Sequence, residues 1–205
     1  MIYLIITTCI LNRYGKINHP QRKKTYMESI AYTLSIIPPE ITPIIVENNG
    51  KRSTYLDSFN IPIIYTKNNM RKYYHKGYNE LDDIKDVITE YNIMDDDMII
   101  KLTGRYKILN DTFLKTVINY CKEYDAFVKF YNVCTFQYMK NDCVLGLFAL
   151  KCKYMKEFNY IDPKNKSHEV EFATFVRNLN INIMEIETLN LRCCFATENF
   201  RMLDV

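Results

Sequence analysis

The 205-residue chain has no tryptophan, only five glycines and no C-x-x-C pair. Its seven cysteines, Cys9, Cys121, Cys134, Cys143, Cys152, Cys193 and Cys194, lie mostly inside apolar runs. That spacing suits neither a zinc site nor a disulfide framework, which leaves free, buried thiols in a reducing compartment. Long hydrophobic runs are missing as well. Met1 to Leu11 is apolar but far too short to span a bilayer, and it lacks the basic head and cleavage site of a secretory signal. No transmembrane segment is expected, and the cytoplasm is the expected location. A net charge of +3 is too small to mark a nucleic-acid-binding protein by itself.

What remains is ordinary globular material, 48% hydrophobic and 25% charged, long enough for one α/β domain and too short for two. A single domain over residues 1–205 is expected. Ile2 to Ile10 reads as a fully buried strand ending in the small groups Thr7, Thr8 and Cys9. Asn12 to Gln21 reads as a loop. From Arg22, the residues Tyr26, Ile30, Leu34 and Ile37 recur at helical spacing until Pro38-Pro39 stops the helix. Two short apolar runs follow, Pro43 to Val46 and Ile61 to Tyr65, with a short helix over Ser53 to Phe59 between them. Leu81, Ile84, Val87, Ile88 and Tyr91 give a helix one apolar face, and Asn110 or Asp111 caps the next, with Leu114, Val117, Ile118 and Cys121 inward. Ala126 to Phe136 and Val144 to Lys151 read as strands. Ser167 opens a helix with Phe172, Ala173, Val176 and Leu179 inside, and Ile181 to Phe195 supplies a final strand or two. Strands alternate with helices in the first half and follow one another more directly in the second. That order predicts a mixed, mostly parallel sheet flanked by helices.

The most informative stretch is Asp95-Asp96-Asp97-Met98-Ile99-Ile100-Lys101-Leu102-Thr103-Gly104-Arg105-Tyr106. Met98 to Leu102 has the length and branching of a buried strand. Thr103, Gly104, Arg105 and Tyr106 then fall at its carboxyl end, where ligands collect in open α/β sheets. A plain turn carrying a solvated arginine fits the tetrad equally well.

Taken together, this order resembles the GT-A fold of nucleotide-sugar-dependent glycosyltransferases, in particular small enzymes of surface-polysaccharide synthesis of bacterial or large-DNA-virus type. Pro43-Ile44-Ile45-Val46-Glu47-Asn48-Asn49-Gly50 matches the family's second strand with its acidic end, and Ile63 to Asn69 followed by Lys76-Gly77-Tyr78-Asn79-Glu80 matches its third strand, Asn-rich turn and glycine-entered helix. The resemblance implies a Rossmann-like GT-A domain acting on a UDP-, GDP- or TDP-linked sugar donor and a glycan or other hydroxyl acceptor. It implies nucleotide-sugar binding by Thr7, Thr8, Glu47, Asn48, Asn68, Lys76, Gly77, Lys101, Thr103, Gly104 and Arg105, with Arg71 as a helper. Tyr106, Asp142, Gly146 and His168 would shape the acceptor or sugar pocket. In His168-Glu169-Val170-Glu171, Glu169 stands where inverting members place the general base; equally, acidic residues in a first helical turn favour the helix dipole.

The sequence departs from the family at the metal. No Asp-x-Asp pair ends the fourth strand, and the three aspartates at 95–97 sit at its amino end, roughly 16 Å away at strand rise. A manganese or magnesium requirement is left open, with Arg105 as the group able to offset a departing diphosphate. Three other readings compete: a nucleotidyltransferase, disfavoured by a first loop with one glycine; a nucleic-acid module on the basic-aromatic patch Arg71 to Tyr78, short enough that nucleic acid is not expected; and a GT-A-like domain that binds without catalysis. The sequence gives no oligomeric state.

Overall fold

The computed structural model describes residues 1–11, 19–50, 53–70, 76–161, 166–195 and 201–205, and only the backbone of His19, Lys76, Phe195 and Arg201. The patch centred on Arg71 to His75 and most of the Asn12 to Gln21 loop lie outside the described residues.

The first apolar run becomes β1 (Ile2–Thr8), buried along its whole length. Two more branched runs pair with it in parallel, β2 (Ile41–Glu47) on one side and β4 (Met98–Thr103) on the other. Near-continuous apolar strands of this kind need cover on both faces. Successive residues point to opposite layers. Leu4, Ile6, Ile45, Ile100 and Leu102 enter one core, while Tyr3, Ile5, Ile44, Val46 and Ile99 enter the other. The first core is closed by α1 (His19–Ile36) through Tyr26 and Ile30, and by α3 (Thr112–Tyr120) through Phe113, Leu114 and Val117. The second is closed by α2 (Lys76–Glu90), α4 (Cys152–Glu157) and α5 (His168–Asn178).

With β3 (Ile63–Tyr65), β6 (Ala126–Val128), β7 (Leu147–Lys151) and β8 (Ile183–Glu185), the main sheet runs β3-β2-β1-β4-β7-β6-β8. β7 is antiparallel to β4 and β6, so the sheet is mixed and mostly parallel, as the element order predicts. From β1 the chain leaves one way to β2, and β4 later takes the opposite side. The carboxyl ends of β1 and β4 therefore flank a crevice at a topological switch point. A second sheet, β10-β9-β5, packs beside it, built from β5 (Lys107–Ile108), β9 (Leu191–Phe195) and β10 (Arg201–Asp204).

One difference from the sequence expectation has a local cause. The strand expected over Ala126 to Phe136 stops at Val128; beyond it the Asn132 side chain accepts from the Cys134 and Thr135 amides and bends the chain, with Phe136 at positive φ. At the start of α3 both expected residues take part: Asp111 holds the cap position, and Asn110 Oδ1 accepts from the Thr112 amide. At the far end of β4 the aspartates do turn work: Asp97 holds the Met1 ammonium and the Met94 amide, and Asp95 pairs with Lys156 at 2.6 Å. None of the seven cysteines is in a disulfide, and Cys143, Cys152, Cys193 and Cys194 are buried. Among the described residues no helix is long and apolar enough to cross a membrane.

One buried carboxylate ties the loops over β2 and β3 to α2. Asp83, fully buried on α2, accepts from Thr66 Oγ1 at 2.7 Å, Asn68 Nδ2 at 2.8 Å and Asn48 Nδ2 at 2.8 Å. Burial, with Glu80 adding to it, outweighs these hydrogen bonds and pushes the carboxyl up to about 7. Between its ordinary range near pH 4 and pH 7 the folded chain thus keeps a proton that the unfolded chain has released, so this group's contribution to stability rises as pH falls through that window. In Asp83→Asn the amide nitrogen must face one of the three donors, at a cost of about 1–3 kcal/mol. Urea unfolding of both proteins across pH is expected to show the wild-type advantage widening from pH 7 towards 4; a gap independent of pH would mean that Asp83 does not titrate there.

Candidate active site

Above the carboxyl ends of the central strands lies a small crevice lined by Thr7 and Thr8 from β1 and Cys9 just after it, Asn48 and Asn69 from the next loops, Asn79 and Glu80 from α2, Arg22 and Tyr26 from α1, and Arg105. Gly104 makes this junction close. Its amide donates to Thr7 O at 2.9 Å, and a Cβ there would lie 2.9 Å from Thr8 Cγ2. The bare backbone lets the end of β4 fold against β1, and Arg105 then lies beside α1, where Ser29 Oγ donates to its carbonyl at 3.3 Å.

On the β2 side, Glu47 is buried and engaged by protein. Thr8 Oγ1 donates to it at 2.7 Å, Asn49 Nδ2 at 2.5 Å, and the amides of Ile10 and Asn49 at 3.1 and 3.2 Å. Burial raises its carboxyl against those bonds. Glu47 therefore fixes the end of β1 against β2. Thr7 Oγ1 donates to Leu102 O at 3.4 Å, and Asn68 donates to Asp83 and to Asp86 at 2.8 Å. Among the described residues, Asn48 Oδ1 and Asn79 Oδ1 are buried with no hydrogen-bond partner. Both residues line the pocket, and buried acceptors of this kind normally find a donor.

The cations divide into two sets. Lys101, 2% exposed, spends its ammonium on Glu80 at 2.8 Å, Thr103 Oγ1 at 2.6 Å and Leu145 O at 2.9 Å, so Lys101 and Thr103 satisfy each other beneath the crevice. Arg105 donates through Nε to Cys194 O at 2.8 Å and stacks over Tyr106 at 5.1 Å. Among the described residues no carboxylate lies within ion-pair distance of it. Arg22 donates to Cys9 O at 2.6 Å and Tyr26 OH at 3.2 Å, also without an acid partner among them. Lys76 opens α2, its side chain outside the described residues, as is Arg71.

Beyond Glu80 lies the second half of the site. Glu169, at the first turn of α5, is half-buried. Burial raises its carboxyl, Asp142 and Glu80 add to the effect, and Lys101 opposes it. Burial would raise Glu80 too, but Lys101 and Arg105, with His168, outweigh it and hold that carboxyl lowered. Two carboxyls with opposite shifts thus stand near one ammonium, the pattern from which acid–base roles are read. Two glycines are explained by side chains of the chain itself. A Cβ on Gly146 would lie 2.3 Å from the Tyr106 ring, and one on Gly77 would lie 2.3 Å from His168 Cδ2. His168 also meets Tyr160 edge-on at 4.5 Å. Asp142 accepts from the Cys143 amide at 2.7 Å and Asn132 Nδ2 at 2.5 Å. Glu171 turns away and accepts from the Ile161 amide at 2.5 Å.

Arg22, Tyr26, Asn79 and Glu80 were not singled out from the sequence. A signal existed for the first: Arg22 lies four residues before Tyr26, on the stripe of α1 that faces the core, where a charge is out of place. Among the described residues the crevice offers no preformed divalent-cation site: its lining carries two guanidinium groups and one carboxylate, Glu80, already paired with Lys101, and no three His, Cys, Asp or Glu side chains cluster.

No family model matches the sequence, and no curated protein sequence matches it. Solved structures do match in shape. The mannosyltransferase PcManGT from Pyrobaculum calidifontis, in complex with GDP-Man and Mn2+, aligns at TM-score 0.60 and 7% identity over 90% of this chain and 54% of its own. A 4-diphosphocytidyl-2C-methyl-D-erythritol synthase from Anaerococcus prevotii aligns at 0.54 and 12% identity, over 90% and 86%. A CMP:2-keto-3-deoxy-manno-octonic acid synthetase complexed with CTP aligns at 0.54 and 10%, over 90% and 88%. The chain has the GT-A-like, Rossmann-like α/β fold found in nucleotide-sugar transferases and nucleotidyltransferases.

Proposed function

We propose that this protein is a glycosyltransferase that moves a sugar from a nucleotide-diphosphate donor to a hydroxyl acceptor, with inversion. The observation that carries this is Arg105, a guanidinium held at the switch-point crevice with no carboxylate within ion-pair distance among the described residues. Charge placed in a half-enclosed site is normally paired, and a diphosphate is the anion that this fold commonly receives there. The leaving group gains negative charge as the glycosidic bond breaks, and a fixed guanidinium stabilises it most in the transition state. The nucleoside would lie along Thr7, Thr8, Asn48 and Asn79, whose two unpartnered oxygens suit ribose or base donors. Glu47 then acts by holding the β1 end in place. Glu169 would take the acceptor proton, beside Tyr106, Asp142 and His168.

The raised Glu169 carboxyl supports this role, because a base works best with a pKa close to the operating pH. Glu80, held ionised by Lys101, lies between the two halves and can face the positive charge that develops on the sugar ring. Nucleotidyl transfer is the second reading, supported by the fold it shares with the two synthases. Product analysis separates the two, since a glycosyltransferase releases nucleoside diphosphate and a nucleotidyltransferase releases pyrophosphate.

With a panel of nucleotide sugars, Arg105→Ala is expected to lower kcat/KM by roughly 10²–10³-fold. Unchanged donor turnover would remove Arg105 from the site. For Glu169→Gln, donor affinity measured by calorimetry should hold while transfer falls roughly 10²–10⁴-fold. In wild type, kcat/KM for acceptor should rise with pH through a value above the ordinary carboxylate range. That limb should vanish in Glu169→Gln, and a limb that survives would identify another base.

A further inference from the structure

A ligand bound at Arg105 would meet a second guanidinium. Arg22 is 5% exposed, and neither of its two hydrogen-bond partners, Cys9 O and Tyr26 OH, carries charge. Its plane lies 5.3 Å from the Tyr26 ring, which props it at the mouth of the pocket shared with Arg105. The Tyr26 hydroxyl is itself pinned by the Cys9 amide at 3.1 Å, so the phenol is a fixed post. Both arginines line the same pocket, and the fields of both fall on that one phenol. Like charges repel, and among the described residues neither lies within ion-pair distance of an acid; Glu80, the one carboxylate of the lining, acts on Arg105 while already paired with Lys101. Holding both in one half-enclosed pocket is costly unless an anion with more than one charge centre lies between them. Among the described residues Arg105 donates only through Nε, and the planar fork of its two terminal nitrogens suits phosphate oxygens. The neighbouring acceptors, Asn48 Oδ1 and Asn79 Oδ1, on residues 3% and 2% exposed, would repel a phosphate but receive a hydroxyl or N–H. Anionic and donor-bearing parts are thus required in the same ligand.

We infer that Arg22 and Arg105 form a two-guanidinium clamp that selects a nucleoside diphosphate over a monophosphate and grips it without a divalent cation. This rests on the crevice being the donor site. The clamp concerns recognition, and Arg22 has no part in the acceptor chemistry at Glu169.

Isothermal titration of the full chain in excess EDTA tests it, with inorganic pyrophosphate, inorganic phosphate and UDP or GDP as probes. Wild type should bind pyrophosphate at least about tenfold more tightly than phosphate, and one of the nucleoside diphosphates more tightly still. Losing one charge-assisted contact should cost Arg22→Gln roughly ten- to a hundredfold in pyrophosphate affinity, leaving phosphate affinity within a few-fold. The ratio is the deciding quantity, because a merely structural Arg22 would weaken both anions alike. Should Arg22→Gln fail to fold, Arg22→Lys keeps the charge without the fork and should lose most of the preference. Equal affinity of wild type for the two anions overturns the clamp. So does binding that appears only once manganese is added, or a preference unchanged in Arg22→Lys. Pyrophosphate selectivity in a chain that transfers no sugar would support the clamp and remove the glycosyltransferase reading. Sugar transfer with full activity in Arg22→Gln would remove the clamp alone.

Discussion

The architecture depends on one buried strand with parallel partners on both sides. β1 pairs with β2 from Ile2↔Ile41 to Thr8↔Glu47 and with β4 from Ile2↔Met98 to Thr7↔Thr103. Because all three run the same way, their carboxyl ends finish level, and the loops after them must share one small volume. Backbone donors and acceptors leaving the ladders need partners there. Glu47 accepts from the Ile10 and Asn49 amides, Asp83 ties the side chains of Asn48, Thr66 and Asn68, and Gly104 lets the last gap close. The crevice is what remains once those demands are met.

That picture divides the carboxylates and cations of the carboxyl-end region by task. Glu47 and Asp83 are fully buried and surrounded by donors, so their charge is spent on structure. Lys101 is likewise consumed, with Glu80 as its partner. Among the described residues, the groups left over are the two arginines, without an acid in ion-pair distance, and the two asparagine oxygens, without a donor, all on residues that line the pocket. Residual valence of this sort is a more specific signal of a ligand than polarity alone, since every polar group in a fold must first satisfy its neighbours.

The order and type of the main elements could be read from sequence because they follow from periodicity and from punctuation such as Pro38-Pro39 and Ser167. The short pieces could not. β5 spans two residues, and its pairing with β9 is a long-range event with no local pattern. The strand end with Arg105 was visible because a glycine and an arginine follow an apolar run. The roles of Gly77 and Gly146 were hidden, because what approaches them is a ring from a distant segment of the same chain. Arg22 was hidden by its position in an otherwise ordinary amphipathic helix, where only the angle of the stripe betrays it. Nothing in the sequence sets Asp83 apart from the other acids of α2. Its burial is decided by three donors that no sequence window brings together.

The tight seat of His168 against Gly77 has a mechanical corollary. The glycine begins the helix whose next turn carries Asn79 and Glu80, and the imidazole immediately precedes Glu169. With no gap between ring and backbone, the first turns of these two helices cannot slide independently. A displacement of one must push the other. The two halves of the crevice are geared, so if the proposed nucleotide site is filled, the stance of the carboxylate across it follows.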